Sequence, residues 1–343
     1  MSARALMETA RTLVSGDKGL LAMDESNGTC NKRFAKVGVP QTEEARRAWR
    51  ELLMTTRGLG DCISGAILYD ETIRQKTRRD VPFVEVLREA QIIPGVKVDI
   101  GAKALAGRPG ETITEGLDGL RERLAEYHRL GARFAKWRAV IALGEGLPSR
   151  GCVDANAHAL ARYAALCQEG GLVPVVEPEV LMVGAHSLER SRAATEEILQ
   201  SVFRQMHGQG VLLEGMILKP NMVLPGLDCP KQETVDEVAA ATLTCLLRNV
   251  PAAVAGIAFL SGGQSGELAS ARLNAMTLRI KAPGARPPWP VAFSYARAIQ
   301  QPALEIWRGE EANVTAAQRA LLHRANCNRA ARRGEYGAAM EAG

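Results

Sequence analysis

The sequence predicts a single (β/α)8 barrel, or TIM barrel, and three observations lead to this fold class. Eight short apolar runs recur along the 343 residues, at a spacing of roughly 40 residues that is typical of alternating strands and helices. The runs are rich in Val, Ile, Leu and Ala, as in strands buried on both faces of a parallel sheet. The composition does not change along the chain. We therefore expect one domain over 1–343, with a barrel core at about 18–310 after an N-terminal extension and a C-terminal helix and short tail at 311–343.

Each predicted strand is followed by a polar residue and then by a helical pattern. The strands are predicted at Gly19–Met23, Ile63–Tyr69, Gly95–Val98, Phe134–Val140, Leu172–Val176, Met216–Leu218, Gly256–Leu260 and Val291–Ser294. Apolar residues at three- and four-residue steps predict amphipathic helices at Leu117–Leu130, Thr234–Leu247 and Ala312–Arg333, and a further helix is expected at Glu267–Leu278. The proline-rich stretch Ala282–Pro290 is predicted as a loop.

Composition and charge argue against several classes of protein. Lys and Arg total 43 and Asp and Glu total 38, which leaves a net charge of +5 at pH 7. This small, dispersed excess argues against nucleic acid as a partner and suits a small anionic substrate. The longest nearly uncharged apolar run, Val250–Leu260, is far shorter than the roughly 20 residues that cross a bilayer, so we expect no membrane partner.

Cysteine and histidine usage indicates a reducing compartment and no histidine-built metal site. The seven cysteines form no C-x-x-C pair, which favours free thiols. Glu8 and Arg11 interrupt the apolar residues near the N-terminus, so we expect no secretory signal and a cytoplasmic protein. The five histidines form no H-E-x-x-H or H-x-H cluster, so a histidine-built zinc site is not expected.

Polar residues that end the predicted strands are the candidates for catalysis, because barrels of this kind carry their chemistry at the carboxyl ends of the strands. In order they are Asp24 and Glu25, Asp70, Lys97 and Asp99, Lys136 and Arg138, Glu177 and Glu179, Lys219, Ser261, and Arg297. Lys136 and Lys219, if they face one mouth, are expected to repel each other and to lower each other's pKa. A lysine with a lowered pKa is a nucleophile that forms a Schiff base with a ketone. Carboxylates nearby, among them Glu177, Glu179 and Asp24, would transfer the protons.

Lys219 and Glu177 share one local pattern. Each follows a short apolar run and precedes a proline, Pro220 or Pro178, which keeps the preceding residue extended. Both side chains are therefore expected at strand ends. The same pattern is also consistent with a purely structural ion pair at the rim of the barrel.

The stretch Ser261-Gly262-Gly263-Gln264-Ser265-Gly266 follows the seventh strand and opens a helix. Glycines allow backbone N–H groups to approach an anion, and a helix N-terminus adds a favourable dipole. Barrels commonly bind phosphate at the loops after strands seven and eight, where this stretch and Arg297 lie. An ordinary glycine-rich turn is the alternative for the loop alone; together with Arg297, phosphate binding is favoured.

Taken together, these segments resemble class I fructose-1,6-bisphosphate aldolase. The matching motifs occur in family order: LLAMDESNGTCNKR (20–33), ILYDET (67–72), PGVKVDIG (94–101), KWR (136–138), VVEPEV (175–180), ILKPNMV (217–223), LSGGQS (260–265) and FSYARAIQ (293–300). The resemblance covers about residues 10 to 335. It implies cleavage of fructose 1,6-bisphosphate into dihydroxyacetone phosphate and glyceraldehyde 3-phosphate, in glycolysis or sugar-phosphate metabolism. It also implies no metal or other cofactor and a homotetramer.

The resemblance implies a role for each matching residue. Lys219 would form the Schiff base, Glu177 would serve carbinolamine dehydration, and Asp24 would take the C4 hydroxyl proton with Lys136 as its cationic partner. The residues implied to bind the C1 phosphate are Ser261, Gly262, Gly263, Ser294 and Arg297; those for the sugar or the C6 phosphate are Ser26, Arg33 and Lys97, and Arg138 and Glu179 are also expected to bind substrate. A bisphosphate needs cations at both ends of the cleft, and Arg33 and Lys97 are expected on strands opposite Arg297.

Two departures and two alternatives accompany the resemblance. Ala296 stands where the family commonly has glycine, which matters only if that position requires a positive φ. Many eukaryotic members end in a tyrosine that assists proton exchange; here the nearest tyrosine to the end is Tyr336, and we expect another group or water to perform that step. The alternative functions are an aldolase of the same mechanism acting on sedoheptulose 1,7-bisphosphate or fructose 1-phosphate, and a non-catalytic anion-binding scaffold.

Overall fold

Eight parallel strands close into a barrel in the computed structural model, which describes residues 2–284 and 287–342. Two further strands, β4 and β5, form a separate hairpin. In chain order the strands of the described residues are β1 (Gly19–Ala22), β2 (Ile63–Leu68), β3 (Ile93–Lys97), β4 (Gly101–Ala104), β5 (Thr112–Glu115), β6 (Phe134–Ile141), β7 (Val173–Val180), β8 (Ile217–Leu218), β9 (Gly256–Phe259) and β10 (Val291–Tyr295). The order around the barrel is β1-β10-β9-β8-β7-β6-β3-β2. The (β/α)8 barrel is confirmed, and all eight predicted strands occur with ends displaced by a few residues.

Helices cover the barrel and follow its strands. They are α1 (Ala3–Val14), α2 (Asn27–Ala35), α3 (Glu43–Met54), α4 (Asp70–Arg74), α5 (Phe83–Glu89), α6 (Leu120–Leu130), α7 (Arg150–Glu169), α8 (Leu188–Gly208), α9 (Val235–Asn249), α10 (Gly266–Lys281), α11 (Arg297–Trp307) and α12 (Val314–Arg333). Side-chain caps fix several starts: Thr234 and Glu237 form a capping box at α9. The four predicted helices occur as α6, α9, α10 and α12. None of the helices in the described ranges is long and apolar enough to span a membrane.

A hairpin and a proline-rich loop lie outside the regular alternation of strands and helices. The antiparallel hairpin β4–β5 was not predicted; it lies between β3 and α6, and its strands are only four residues long. The predicted loop Ala282–Pro290 separates α10 from β10 and contains no helix or strand in its described part, while Ala285 and Arg286 lie outside the described residues.

Helix α1 closes the amino-terminal end of the barrel. Its buried residues Leu13 and Val14 join the apolar cluster of the barrel interior. Two strand glycines make room for them: a Cβ on Gly65 would lie 2.6 Å from Leu13, and one on Gly256 would lie 2.6 Å from Val14. Because this end is filled with apolar side chains, access from solvent is left at the carboxyl ends of the strands.

Along β6 and β7, the side chains that face the barrel interior change from apolar to ionic toward the carboxyl ends of the strands. On β6, Phe134 belongs to the interior apolar cluster, whereas Trp137 packs in the cluster outside the barrel. Two residues beyond Phe134 on the same face comes Lys136, and β7 has Val175 followed by Glu177. Because every second residue of a strand faces the same side, Lys136 and Glu177 face the barrel interior at its open end.

Candidate active site

A cavity of about 890 Å³ lies at the carboxyl ends of the strands. It is lined by every catalytic and substrate-binding residue named in the sequence analysis: Asp24, Ser26, Arg33, Lys97, Lys136, Arg138, Glu177, Glu179, Lys219, Ser261, Gly262, Gly263, Ser294 and Arg297. These residues come from seven barrel strands or the segments that follow them. The barrel therefore brings together groups that are far apart in the sequence.

Lys219 enters the cavity directly from the end of β8. Its backbone N–H donates to the carbonyl of Val176 at 2.7 Å, so the parallel pairing with β7 continues to this residue. Its Nζ lies 3.1 Å from Oε1 of Glu177. Each side chain is only about 4 % exposed. The predicted pair is thus formed, inside the cavity and shielded from bulk water.

Lys136 connects this pair to Asp24. Its Nζ donates to Oδ2 of Asp24 at 3.0 Å and lies 2.8 Å from Oε2 of Glu177. Burial opposes ionisation of Asp24, but the ammonium groups of Lys136 and Lys219 outweigh it and lower the pKa of this carboxyl to about 2. For Glu177, burial is likewise outweighed by the same two lysines, and its pKa is lowered. Both carboxylates are therefore ionised at neutral pH.

The predicted lowering of the Lys136 pKa is wrong. Burial does disfavour its ammonium form, but the carboxylates of Asp24 and Glu177 outweigh burial and raise the pKa of Lys136. Repulsion between the two lysines was expected to dominate, but Lys136 contacts both Asp24 and Glu177. Lys136 is therefore a permanent cation in this cluster.

The loop after β9 has the geometry of an anion-binding turn. Gly262 and Gly263 adopt positive φ values of +60° and +98°, which glycine tolerates without strain. The Nη2 atom of Arg297 lies so close that a Cβ on Gly263 would meet it at 3.2 Å. Helix α10 begins three residues later, with Ser265 as its N-cap. Gly262, Gly263 and Arg297 thus line one side of the cavity, and the N-terminus of α10 lines an adjoining recess.

Two details at β10 and α11 bear on the same loop. The hydroxyl of Ser294 is buried and has no hydrogen-bond partner among the described residues, although a buried hydroxyl ordinarily has one. Ala296 has φ −105°, an ordinary value for alanine. The position therefore does not require the positive φ that would favour glycine over alanine.

Cations also line the other side of the cavity. Lys97, at the end of β3, lies 2.5 Å from Oδ1 of Asp99 and donates to the Asp99 carbonyl at 2.8 Å. Arg138, on β6, pairs with Glu179 on β7. Strand β6 is four positions from β10 around the eight-stranded barrel and β3 is three. Lys97 and Arg138 therefore lie across the cavity from Arg297.

The expectation that Arg33 lies opposite Arg297 is wrong. Arg33 lies on α2 after β1, and β1 pairs directly with β10, which precedes Arg297. Both arginines also line a neighbouring recess of about 400 Å³. The error arises because the first and eighth strands of a closed barrel are neighbours. Ser26, the N-cap of α2, accepts a hydrogen bond from the Thr29 N–H at 3.4 Å.

Arg50 was missed by the sequence analysis. Its Nη1 lies 2.9 Å from Oε2 of Glu25, whose other oxygen pairs with Arg33. Burial opposes ionisation of Glu25, and Arg50 and Arg33 outweigh it, so its pKa is lowered. Glu25 was visible as a strand-end carboxylate, but Arg50 lies on α3 within an ordinary amphipathic pattern that carries no functional signal.

Tyr336 does not line the cavity. Its hydroxyl donates to Oε1 of Glu341 at 2.6 Å, and the carbonyl of Glu267 lies 3.4 Å away. Burial and the Glu341 carboxylate raise the pKa of this phenol. In this arrangement the Tyr336 hydroxyl is hydrogen-bonded to Glu341 of the C-terminal turn and lies outside the cavity.

Comparisons with known proteins agree with this geometry. Residues 5–343 match the family model described as fructose-bisphosphate aldolase class-I. A probable fructose-bisphosphate aldolase class 1 from Xylella fastidiosa is 55 % identical over 98 % of this chain and 99 % of its own length. The fructose-bisphosphate aldolase of Dictyostelium discoideum is 49 % identical over 96 % of this chain and 92 % of its own.

A solved structure is similarly close. It contains fructose-bisphosphate aldolase from Plasmodium falciparum in complex with TRAP and a small-molecule inhibitor. It superposes with a TM-score of 0.95 at 45 % identity and covers 98 % of this chain and 96 % of that one. With the family match over nearly the whole sequence and relatives at about half identity, the chain belongs to the class I fructose-bisphosphate aldolases, lyases that act through a lysine Schiff base without a metal ion.

Proposed function

We propose that Lys219 is the Schiff-base lysine of this aldolase and that Glu177, Asp24 and Lys136 move and stabilise the charges of the reaction. The observation that carries the proposal is the position of Glu177 between two buried ammonium groups, 3.1 Å from Lys219 and 2.8 Å from Lys136. To attack a ketone, Lys219 must lose a proton, and the Glu177 carboxylate is an acceptor at hydrogen-bonding distance. Lys136 remains charged throughout.

The steps follow from these positions. The Lys219 amine adds to the C2 carbonyl, and Glu177 donates a proton to the departing hydroxyl, so that water leaves and an iminium forms. Asp24 accepts the C4 hydroxyl proton, the C3–C4 bond breaks, and its electron pair moves into the iminium to give an enamine. Glyceraldehyde 3-phosphate leaves as the aldehyde. Protonation of the enamine at C3 and hydrolysis of the resulting iminium then release dihydroxyacetone phosphate and restore Lys219.

The phosphates are assigned to the two sides of the cavity. The residues that would hold the C1 phosphate are Ser261, Gly262, Gly263, Ser294 and Arg297. Two observations support this assignment: the Ser294 hydroxyl accepts and donates no hydrogen bond in the part of the chain that the structure describes, and Arg297 lies close to Gly263. Lys97 and Arg138 would meet the C6 phosphate, because they lie across the barrel from Arg297. Ser26, Arg33 and Glu179 would contact the sugar or its C6 phosphate from the rim.

A structural ion pair between Lys219 and Glu177 is the competing interpretation of the cluster. Such a pair would need one cation for one carboxylate, whereas this cluster places two ammonium groups around Glu177 inside a large cavity. With Asp24, the cluster holds two ammonium groups and two carboxylates. Burying four ionised groups is costly to a fold and useful to a reaction that moves protons.

Borohydride reduction in the presence of dihydroxyacetone phosphate tests the assignment of Lys219. We expect one covalent adduct on the peptide that contains Lys219, and none in Lys219→Met. Lys36→Met is the matched control, because Lys36 also lines the cavity without contacting the ionic cluster, and it should retain the adduct. An adduct on Lys136 or Lys97, or no adduct, would contradict the proposal.

Substrate preference is a second part of the proposal. We expect fructose 1,6-bisphosphate to be favoured, since cations line both sides of the cavity. Comparison of kcat/KM with sedoheptulose 1,7-bisphosphate and fructose 1-phosphate tests this. A lack of activity on all three would favour the anion-binding scaffold. Full activity in EDTA is expected, because the proposed steps need no metal or other cofactor.

The family resemblance also supports three statements about the whole protein. We propose that the chain forms one domain, that it assembles as a homotetramer, and that it resides in the cytoplasm. Light scattering on the purified chain tests the assembly, and a single cooperative unfolding transition is expected of one domain.

A further inference from the structure

A cluster of three possible metal ligands lies outside the catalytic cavity: the side chains of His323, Cys327 and Glu341. One ligand atom from each lies within 4.8 Å of the others, and none of the three residues lines the cavity. His323 and Cys327 are four residues apart on α12, so they share one face of the helix. Glu341 comes from the short 3-10 turn Ala338–Ala342. The cluster therefore joins the C-terminal turn to the helix.

The distances are close to those of a tetrahedral zinc site. The Cys327 Sγ lies 3.6 Å from Nε2 of His323, and this Nε2 lies 3.9 Å from Oε2 of Glu341. With Zn–S bonds of about 2.3 Å and Zn–N or Zn–O bonds of about 2.0–2.1 Å, tetrahedral angles place S and N about 3.6 Å apart and N and O about 3.3 Å apart. The sulfur–nitrogen distance already matches that of a zinc site. The carboxylate needs to approach the histidine nitrogen by about half an ångström, and it lies within 4.8 Å of the sulfur, where tetrahedral angles require about 3.6 Å.

Glu341 is held in position by two other groups. Nη1 of Arg324 donates to both carboxylate oxygens at 2.6 Å, and the Tyr336 hydroxyl donates to Oε1 at 2.6 Å. Oε2, the oxygen nearer His323, receives only the arginine bond among the described residues and retains a second lone pair. Arg324 therefore positions the carboxylate and leaves a free coordination direction on Oε2. Its positive charge also opposes a cation, so thiolate and carboxylate charge are both needed to neutralise the metal.

We propose that His323 Nε2, Cys327 Sγ and Glu341 Oε2 bind one zinc ion that fastens the C-terminal turn to α12. Nitrogen and sulfur donors favour zinc over magnesium or calcium. On binding, the Cys327 thiol loses its proton to solvent and a sulfur–zinc bond forms. The side chains of His323 and Glu341 are 34 % and 24 % exposed, so water can complete the fourth position. The site is structural, and the aldolase reaction does not pass through it.

Cobalt titration of the EDTA-treated full chain tests the proposal. Co²⁺ bound by a thiolate gives a charge-transfer absorption band, which Zn²⁺ should then displace at one equivalent. We expect Cys327→Ser to lose the band, and His323→Gln and Glu341→Gln to weaken binding by roughly tenfold or more. His323 and Glu341 are partly exposed, so these two variants test the site even if the substitution of buried Cys327 impairs folding.

Matched controls separate this site from non-specific binding. Cys229 is a partly exposed free cysteine and His207 an exposed histidine, both elsewhere in the fold; Cys229→Ser and His207→Gln should leave the titration unchanged. Zinc should also slow carboxypeptidase digestion of the wild-type chain and not of Glu341→Gln. The proposal is overturned if the band is absent, if it persists in Cys327→Ser, or if neither His323→Gln nor Glu341→Gln alters it.

Discussion

Lys136 Nζ lies 2.8 Å from Oε2 of Glu177, yet that oxygen accepts no hydrogen bond from the residues that the structure describes. The directed hydrogen bond of Lys136 goes instead to Asp24, at 3.0 Å. The attraction between Lys136 and Glu177 is thus electrostatic and leaves lone pairs on Oε2 for another donor. In an occupied cavity, a substrate hydroxyl or a carbinolamine is the donor that this arrangement suits.

Replacing Glu177 with glutamine is expected to slow the reaction without unfolding the protein. The amide has nearly the same shape but cannot carry a proton, and general acid–base groups typically contribute about 10²–10⁴-fold. We therefore expect turnover to fall within that range and borohydride trapping at Lys219 to become slow rather than absent. Single-turnover trapping measures the rate, and circular dichroism at 25 °C should show the wild-type fold.

Glu179→Gln is the matched control for Glu177→Gln. Glu179 is also buried and lies two residues along the same strand, but it pairs with Arg138 and contacts neither lysine. Its substitution should affect substrate affinity more than trapping. Wild-type turnover in Glu177→Gln would show that Glu177 has no part in proton transfer.

Asp24 should make stability depend on pH below neutrality. Its pKa is about 2 in the folded chain against 3.8 for an unperturbed aspartate, so the unfolded chain binds the proton more readily. The resulting stabilisation is fully present above about pH 4 and is lost as the pH falls through about 2; the shift corresponds to about 2 kcal/mol. Urea unfolding of wild type and Asp24→Asn should show the difference between their free energies of unfolding shrink over this window.

Asp80→Asn provides the comparison for that experiment. Asp80 is exposed, with a side chain 84 % accessible, and pairs with Lys76 at the surface. Exposed pairs contribute little, so the free-energy difference from wild type should stay small throughout. A difference for Asp24→Asn that stays constant from pH 5 to about pH 2 would contradict the assigned shift.

Much of the cavity follows from sequence because the chemistry is presented by strands. In a parallel barrel the carboxyl end of every strand faces the same side, so Lys219, Glu177 and Asp24 could be assigned to one site from their positions after apolar runs. The prolines after Lys219 and Glu177 reinforced this, since they keep both residues extended. Lys136 was assigned to the same site as another of the polar residues associated with these strand ends.

Two features were harder to predict from sequence: which residues the closure of the barrel brings together, and which carboxylates compensate the buried lysines. Arg33 was assigned to the wrong side because its neighbour in space, Arg297, is more than 260 residues away in sequence, and only closure of the barrel unites them. The pKa of Lys136 depends on where Asp24 and Glu177 point, which strand patterns do not specify. Arg50 contacts Glu25 from α3, and the amphipathic sequence pattern of α3 does not distinguish it from an ordinary packing helix.

Ser294→Ala should weaken phosphate binding while preserving or raising stability. The hydroxyl is buried and has no hydrogen-bond partner within residues 2–284 and 287–342, so its removal relieves an unsatisfied group in the protein without substrate. A hydrogen bond to a charged group contributes about 1.5–3 kcal/mol, so affinity for dihydroxyacetone phosphate should fall about tenfold or more. Isothermal titration measures the affinity, and thermal melting without ligand measures the stability.

Unphosphorylated dihydroxyacetone provides the control for Ser294→Ala. If the hydroxyl serves only the C1 phosphate, trapping of dihydroxyacetone at Lys219 should proceed at the wild-type rate. An equal decrease in the trapping rate with dihydroxyacetone and dihydroxyacetone phosphate would instead show that Ser294 acts on the reacting carbonyl group.

Arg138→Ala should discriminate between the two phosphates. Arg138 lies across the barrel from Arg297, so its loss is expected to raise KM for fructose 1,6-bisphosphate about tenfold and to change KM for fructose 1-phosphate little. Steady-state kinetics on both substrates measure this ratio. An equal increase for both would place Arg138 at the C1 end, or attribute its effect to the buried Glu179 carboxylate that has lost its partner.

Tyr336→Phe is expected to leave proton exchange on dihydroxyacetone phosphate unchanged. The Tyr336 hydroxyl is hydrogen-bonded to Glu341 at 2.6 Å and does not line the cavity, so a role at the enamine carbon would require both that bond to break and the segment to move. Loss of the bond should lower stability by about 1 kcal/mol, while tritium exchange from solvent into dihydroxyacetone phosphate stays within about twofold of wild type. A tenfold loss of exchange with intact C3–C4 cleavage would show that the segment does reach the site, and the opening of the Tyr336–Glu341 contact would then be part of the catalytic cycle.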